Sequence, residues 1–205
     1  MIVFCAGLRS SASTLQWQIA KHIVEANNLG FGFVVNKHNK IDQYLHTNKI
    51  IVAKQHRLTH ANYIKNSDAL ILMTVRDLRD VQCSLIQRWQ KPFEYCFEKL
   101  KAYVGQQQEW MQFDNIYTQY YETEWTDKYL SDEVCSIAYQ LDLLLDEYEC
   151  DKISNIYSLE NNKQRLPHNH ITNAQISKYK TMLTQEQITI LETEFNNWLE
   201  NYGYL

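Results

Sequence analysis

Glycine and proline are scarce, five and two among 205 residues. So few breakers leave no stretch that reads as a linker, and neither a repeat nor a low-complexity tract interrupts the chain. A single domain over residues 1–205 is expected, because that length fills one core and would be cramped as two. No apolar run reaches membrane-spanning length, and the opening residues lack the basic start and small-residue cleavage site of a secretory signal. The expected setting is cytoplasmic, with no membrane partner. Cysteine is thin and scattered: Cys5, Cys83, Cys96, Cys135 and Cys150 form no C-x-x-C pair, and no histidine cluster stands beside them to complete a zinc site. They read as reduced, mostly buried thiols, and no metal is expected. Net positive charge is lacking as well. A formal charge of -4 offers nucleic acid no general attraction, so a polyanionic ligand must find its counter-charges gathered locally.

What is present is apolar material in short continuous blocks. "IVFCA" (2–6), "FGFVVN" (31–36), "KIIVAK" (49–54) and "ALILMTV" (69–75) read as strands buried on both faces, and "DNIYTQYY" (114–121) as a later one. Between them, helical spacing runs from Thr14 to about Asn28, over 78–90, 94–112 and 131–148, and over 183–202, where Thr184 is the N-cap with Gln187 three residues on. Strands alternating with helices predict an α/β fold, a parallel β-sheet flanked by helices. Ligands of such sheets gather at the carboxyl ends of the strands. The residues there are Gly7 to Thr14, Lys54 to Arg57, Arg76 to Asp80 and Tyr121 to Glu124.

The first of these, "GLRSSAST" (7–14), joins a strand to a helix as a phosphate-binding loop does. Against the pattern G-x-x-x-x-G-K-[ST], Ala12 replaces the second glycine and Ser13 the lysine. The loop keeps its backbone N–H groups and the helix dipole, and the hydroxyls of Ser10, Ser11, Ser13 and Thr14 add donors. Arg9 can supply charge in place of the ammonium. Loss of the lysine, with no magnesium ligand evident at a neighbouring strand end, argues against a nucleoside-triphosphate kinase.

"VRDLRDVQCSLIQRW" (75–89) resembles the strand-to-helix segment R-[DN]-P-[RK]-D-V of sulfotransferases that use 3′-phosphoadenosine 5′-phosphosulfate (PAPS), with Arg76 and Ser84 at the family's separation and Leu78 in place of its proline. The resemblance implies a P-loop NTPase-like sulfotransferase fold, in which Arg76 and Ser84 hold the 3′-phosphate. Ser11, Ala12, Ser13 and Thr14 match part of the family's own loop for the 5′-phosphosulfate, with Arg9 on its proline and Ser10 on its basic position. Either Arg9 still reaches the sulfuryl bridge, or another cation has taken that task. "VAKQHRL" (52–58) is similar to the family's K-[TS]-H-x-P segment, which implies His56 as general base and Lys54 as stabiliser of sulfuryl charge. Tyr121 in "YYETEW" falls where the family contacts or shapes the adenine pocket. In "KQRLPHNHITNAQISKYKTMLTQEQI" (163–188), which resembles the C-terminal stretch of bacterial members, Arg165 and His170 are positioned to close over the nucleotide.

The cations Arg9, Lys54, Arg76 and Arg79 all come from loops expected at one sheet edge. The resemblance implies direct transfer from PAPS to a small-molecule acceptor, with no metal and no nucleic acid. Two rivals stand beside it: a P-loop kinase, and a non-catalytic nucleotide-binding module. Aromatic residues of 90–125 interleaved with Glu94, Glu98, Glu109 and Asp114 suit a small cationic acceptor, of the kind modified by the similar small cyanobacterial sulfotransferases of paralytic-shellfish-toxin alkaloids. A chain this short is expected to have an open acceptor site or help from a second subunit, as a homo-oligomer.

Overall fold

β1 (Ile2–Gly7) is buried at all six positions, which explains its unbroken apolar composition. Its alternate side chains serve two cores: Ile2, Phe4 and Ala6 face one side of the sheet, Val3 and Cys5 the other. The computed structural model describes residues 1–35, 41, 44, 46–59, 61–66, 69–165 and 175–205.

From β1 the chain passes through α1 (Ser13–Ala26), β2 (Gly30–Val34), β3 (Ile50–Lys54), α2 (Ala61–Asn66), β4 (Leu70–Val75), α3 (Leu78–Trp89), α4 (Phe93–Trp110) and β5 (Ile116–Tyr120). It then continues through α5 (Tyr121–Glu124), α6 (Leu130–Gln140), α7 (Glu147–Ile156), α8 (Leu159–Arg165), α9 (Tyr179–Met182), α10 (Gln185–Glu194) and α11 (Asn196–Asn201). The strands form one sheet of order β2-β3-β1-β4-β5, parallel at every pairing. One face is covered by α3, α4, α10 and α11, where Trp110, Leu100, Leu191 and Leu199 are fully buried. The other is covered by α1, α6 and α7, through Ile19, Ile23, Val134, Ile137 and Ile153. The predicted α/β class is therefore the observed one.

Three expectations need correction. The helix expected over 131–148 is two helices, because Asp142 turns into the left-handed region (φ 58) and Asp146 caps α7 through a reciprocal capping box with Glu149. The closing helix likewise breaks at Phe195, although its start has the expected Thr184–Gln187 box. Nor are all five cysteines thiols: the α6–α7 hairpin brings Cys135 and Cys150 to a Cα separation of 5.7 Å, and they are disulfide-bonded, while Cys5, Cys83 and Cys96 are free and buried. Among the described residues no helix is long and apolar enough to cross a membrane.

Candidate functional site

The loop after β1 is tightly folded against β4. Gly7 has φ 122, and a Cβ there would lie 2.2 Å from Thr74 Oγ1. Beyond it, Ser10 (φ 66) and Ala12 (φ 71) both occupy the left-handed region, a conformation that curls successive backbone amides into a cradle for an anion at the start of α1. The hydroxyls of Ser11 and Ser13 do not point outward as donors. Ser11 Oγ donates to Leu8 O (2.7 Å) and shares a hydrogen bond with Thr74 Oγ1 (2.7 Å), and Ser13 Oγ donates to Leu8 O (3.4 Å). They build the cradle rather than line it.

At the end of β3, the Lys54 ammonium donates to Thr14 Oγ1, so a cation reaches the helix start from the neighbouring strand. Burial lowers the Lys54 pKa to about 8. Two residues on, the His56 Nδ1–H donates to Gly7 O at 2.9 Å. A carbonyl can only accept, so this contact fixes the neutral tautomer with its lone pair on Nε2. Burial is the main cause that lowers the His56 pKa to about 4, and the charges of Lys54, Arg9 and Arg88 push the same way. Trp110 Nε1 donates to His56 O (3.1 Å), which ties the segment to α4. The exposed Arg9 lies with its guanidinium 5.2 Å from the Tyr103 ring centroid, and Arg88, in the last turn of α3, feels the charge of Arg9.

A second cluster forms at the end of β4. Arg76, buried, donates through Nη1 to Ser10 O (2.9 Å) and Ser84 Oγ (3.5 Å), and through Nη2 to Gln175 O (3.1 Å). Its guanidinium stacks 3.8 Å over the Tyr121 ring, and its Nε is buried without a hydrogen-bond partner among the described residues. Lys178, only 1% exposed, donates to Ser84 Oγ at 2.7 Å and to Gln87 Oε1 at 3.3 Å. Its placement is the work of Asp80, whose carboxylate accepts from Ser177 N (2.7 Å) and Tyr179 N (3.0 Å) and so pins this segment to α3. Burial, aided by Arg76, lowers the Lys178 pKa to about 8. Two cations thus meet at one serine largely out of water, with the Asp80 carboxylate acting on both.

Arg79, counted among the gathering cations, is engaged elsewhere. It pairs with Asp77 (2.8 Å) and Glu192 (2.6 Å), donates to Tyr204 O (2.9 Å) and lies over Tyr179. Its charge is thereby neutralised within the fold. Glu94, Glu98, Glu109 and Asp114 are all exposed, and Glu98 pairs with Lys101 on the surface of α4. The side chain of Arg165 and the whole of His170 lie outside the described residues. Two functional candidates escaped the sequence reading, Lys178 and Arg88. Arg88 does lie within the Arg76–Trp89 segment, but a last-turn arginine looks like any exposed helix end. The position of Lys178 depends on Asp80, which no local spacing reveals. Among the described residues no group of three or more His, Cys, Asp or Glu is arranged to hold a metal ion.

A parallel sheet with an anion cradle at its first strand and basic clusters at the neighbouring strand ends defines a P-loop-like α/β fold. No protein-family model matches the sequence, and no curated protein matches it either. Solved structures do. Mouse sulfotransferase SULT7A1 complexed with PAP is similar over 97% of this chain and 84% of its own, with a TM-score of 0.76 at 14% identity. Retinol dehydratase in complex with androsterone and the inactive cofactor PAP is similar over 97% of this chain and 80% of its own (TM-score 0.70, 16% identity). The same enzyme with retinol and PAP gives 97% and 81%, with a TM-score of 0.67 at 14% identity. The chain has the sulfotransferase fold of these structures.

Proposed function

We propose that the protein is a sulfotransferase that moves a sulfuryl group from PAPS to a hydroxyl or amine of a small-molecule acceptor. The observation that carries this reading is the Arg76–Ser84–Lys178 cluster, joined through Ser10 O to the cradle of the first loop. It supports binding of a ligand with phosphate at both ends, and the unpartnered Arg76 Nε suits a further phosphate oxygen. The three solved structures described above were crystallised with PAP, which agrees with that choice.

PAPS brings a sulfuryl group attached to a phosphate leaving group. The residues then divide the work. Backbone amides of Ser10 to Thr14 hold the 5′ end, and Arg76, Ser84 and Lys178 the 3′-phosphate. Tyr121, with one face against Arg76, orients that guanidinium and shapes the pocket beside it. His56 Nε2 takes the acceptor proton as the acceptor atom bonds to sulfur and the bond from sulfur to the bridging oxygen breaks. Lys54 and Arg9 counter the charge left on that oxygen, a contribution of about 3 kcal/mol for each well-placed donor. Arg165 and His170 are proposed to cover the nucleotide. A cytoplasmic location belongs to the proposal too, with the condition that a reducing cytosol would keep Cys135 and Cys150 as thiols.

Calorimetry with PAP and with ATP, with and without magnesium, tests the reading. Tight metal-independent PAP binding, weakened about ten- to hundredfold in Lys178→Ala and Arg76→Ala, is expected. Adenosine 5′-phosphosulfate, which lacks the 3′-phosphate, should be little affected by Lys178→Ala. Magnesium-dependent ATP binding in preference to PAP would instead support a kinase, and PAP binding without turnover a non-catalytic module.

A further inference from the structure

Three arginines each lie over a tyrosine ring. The guanidinium carbon is 3.8 Å from the ring centroid for Arg76 over Tyr121, 4.3 Å for Arg79 over Tyr179 and 5.2 Å for Arg9 over Tyr103. A guanidinium held by its face keeps its N–H edge for other partners. Asp77 and Glu192 fill that edge in Arg79, and Ser10 O, Ser84 Oγ and Gln175 O fill it in Arg76. Arg9 differs: among the described residues its side chain makes no ion pair and no hydrogen bond. A carboxylate would hold this cation more firmly and cancel it, as happens to Arg79. The neutral ring of Tyr103 holds it with the charge intact.

The backbone around this pair fixes where it stands. Arg9 comes two residues after Gly7, whose O accepts from His56 Nδ1, so the Cα atoms of Gly7 and Arg9 are within about 7 Å of each other. Leu8 before it is buried and Ser10 O after it accepts from Arg76, which anchors the main chain on both sides and leaves only the side chain to be placed. Opposite, Tyr103, Gln107 and Trp110 follow one another at helical spacing on one face of α4. That face runs along the strand ends. Trp110 Nε1 donates to His56 O (3.1 Å), Gln107 Nε2 to Thr74 O (3.2 Å), and Tyr103 carries Arg9. One helix therefore locates the base and the cation together, through residues about 10 Å apart along its axis.

We infer that Tyr103 is a positioning residue, which orients Arg9 so that the N–H edge of its guanidinium meets the sulfuryl oxygens of the donor beside His56, with α4 as the common frame. This deepens the sulfotransferase reading and rests on it. The contact of a cation with an exposed ring is weaker than a charge-assisted bond to an oxyanion, so the ring steers Arg9 without withholding it from the donor. It also spares the donor part of the cost of ordering a long, exposed side chain. Tyr103 acts only through Arg9, and that dependence can be measured.

The test is equilibrium binding of PAPS and of PAP to the full chain and its variants, with no acceptor present. PAP lacks the sulfuryl group, so it reports on the fold and the rest of the donor site. Arg9→Met should weaken PAPS about tenfold or more, and PAP several fold less. Tyr103→Leu should weaken PAPS by about two- to fivefold and PAP less, while Tyr103→Phe, which keeps the ring, should restore most of the loss. In the Arg9→Met background Tyr103→Leu should cost nothing further. Tyr103→Met takes the place of the leucine variant if that one does not fold. PAPS affinity that Arg9→Met leaves unmoved overturns the inference. So does a Tyr103→Leu loss that is equal with and without Arg9, equal for PAPS and PAP, or matched by Tyr103→Phe. Binding of both nucleotides without coupling between Tyr103 and Arg9 would remove this role and leave the sulfotransferase reading standing. A native protein that binds neither removes that reading and the inference with it.

Discussion

The neutral imidazole of His56 and the ammonium of Lys54 set a window in which the proposed chemistry can run. His56 is in its basic form above its pKa of about 4, and Lys54 keeps its proton below about 8. The free protein should therefore show a bell-shaped pH profile of kcat/KM with limbs near those values, measurable from initial rates at low acceptor concentration. Replacing His56 by alanine should lower turnover about a hundredfold to ten-thousandfold while calorimetric PAP affinity stays within a few fold. The loop makes a separate prediction. Ala12 carries a side chain in the left-handed region, so Ala12→Gly should raise stability by about 1 kcal/mol, read from the denaturant midpoint. Legibility in the sequence varied residue by residue. Arg76, Ser84, Lys54 and His56 stand at strand ends or one short helical step beyond, where spacing says what meets what. Lys178 is brought to Ser84 across 94 positions by two backbone bonds to Asp80, a tertiary fact that no local pattern carries.

Among the elements, α1, β5 and α6 are joined by a buried polar chain: Gln16 Nε2 donates to Gln119 Oε1, and Gln119 Nε2 to Glu133 Oε1. Burial pushes the Glu133 pKa up to about 8. A carboxyl group whose pKa rises on folding stabilises fully below its ordinary value and loses that contribution as the pH climbs through the raised one. Stability should thus decline between about pH 4.5 and 8, and Glu133→Gln, which keeps an acceptor for Gln119, should flatten the decline. Melting temperatures at pH 5 and pH 8 decide this. The α6–α7 hairpin is governed by its disulfide, which spans 15 residues and is worth about 3 kcal/mol by loop closure. Reduction, or Cys135→Ser, should lower unfolding stability by that order in a denaturant titration. The strands were legible because burial on both faces demands continuous apolar runs. The division of 131–148 was not, since the apolar residues Leu141, Leu143, Leu144 and Leu145 carry the pattern across the turn between the end of α6 at Gln140 and the cap at Asp146 that starts α7.

Over the whole molecule, the last residues close a circuit around the start of α3. Tyr204 donates to Glu122 (2.7 Å), Glu122 accepts from Asp77 N (3.0 Å), Asp77 pairs with Arg79, and Arg79 returns to Tyr204 O (2.9 Å). Tyr204→Phe would leave the half-buried Glu122 carboxylate short of a donor, and a loss of about 1 kcal/mol in global unfolding is expected. The order of the strands in the sheet was beyond the sequence, because crossover connections are set by packing across the fold. One property of the site follows from where its bonds end. His56 is aimed by Gly7 O, and Arg76 by Ser10 O and Gln175 O. These guides are peptide oxygens, which no side-chain replacement can delete. Mutational drift can therefore rewrite most letters of such a chain and still inherit the bearing of its working groups, so long as the path of the main chain is passed on.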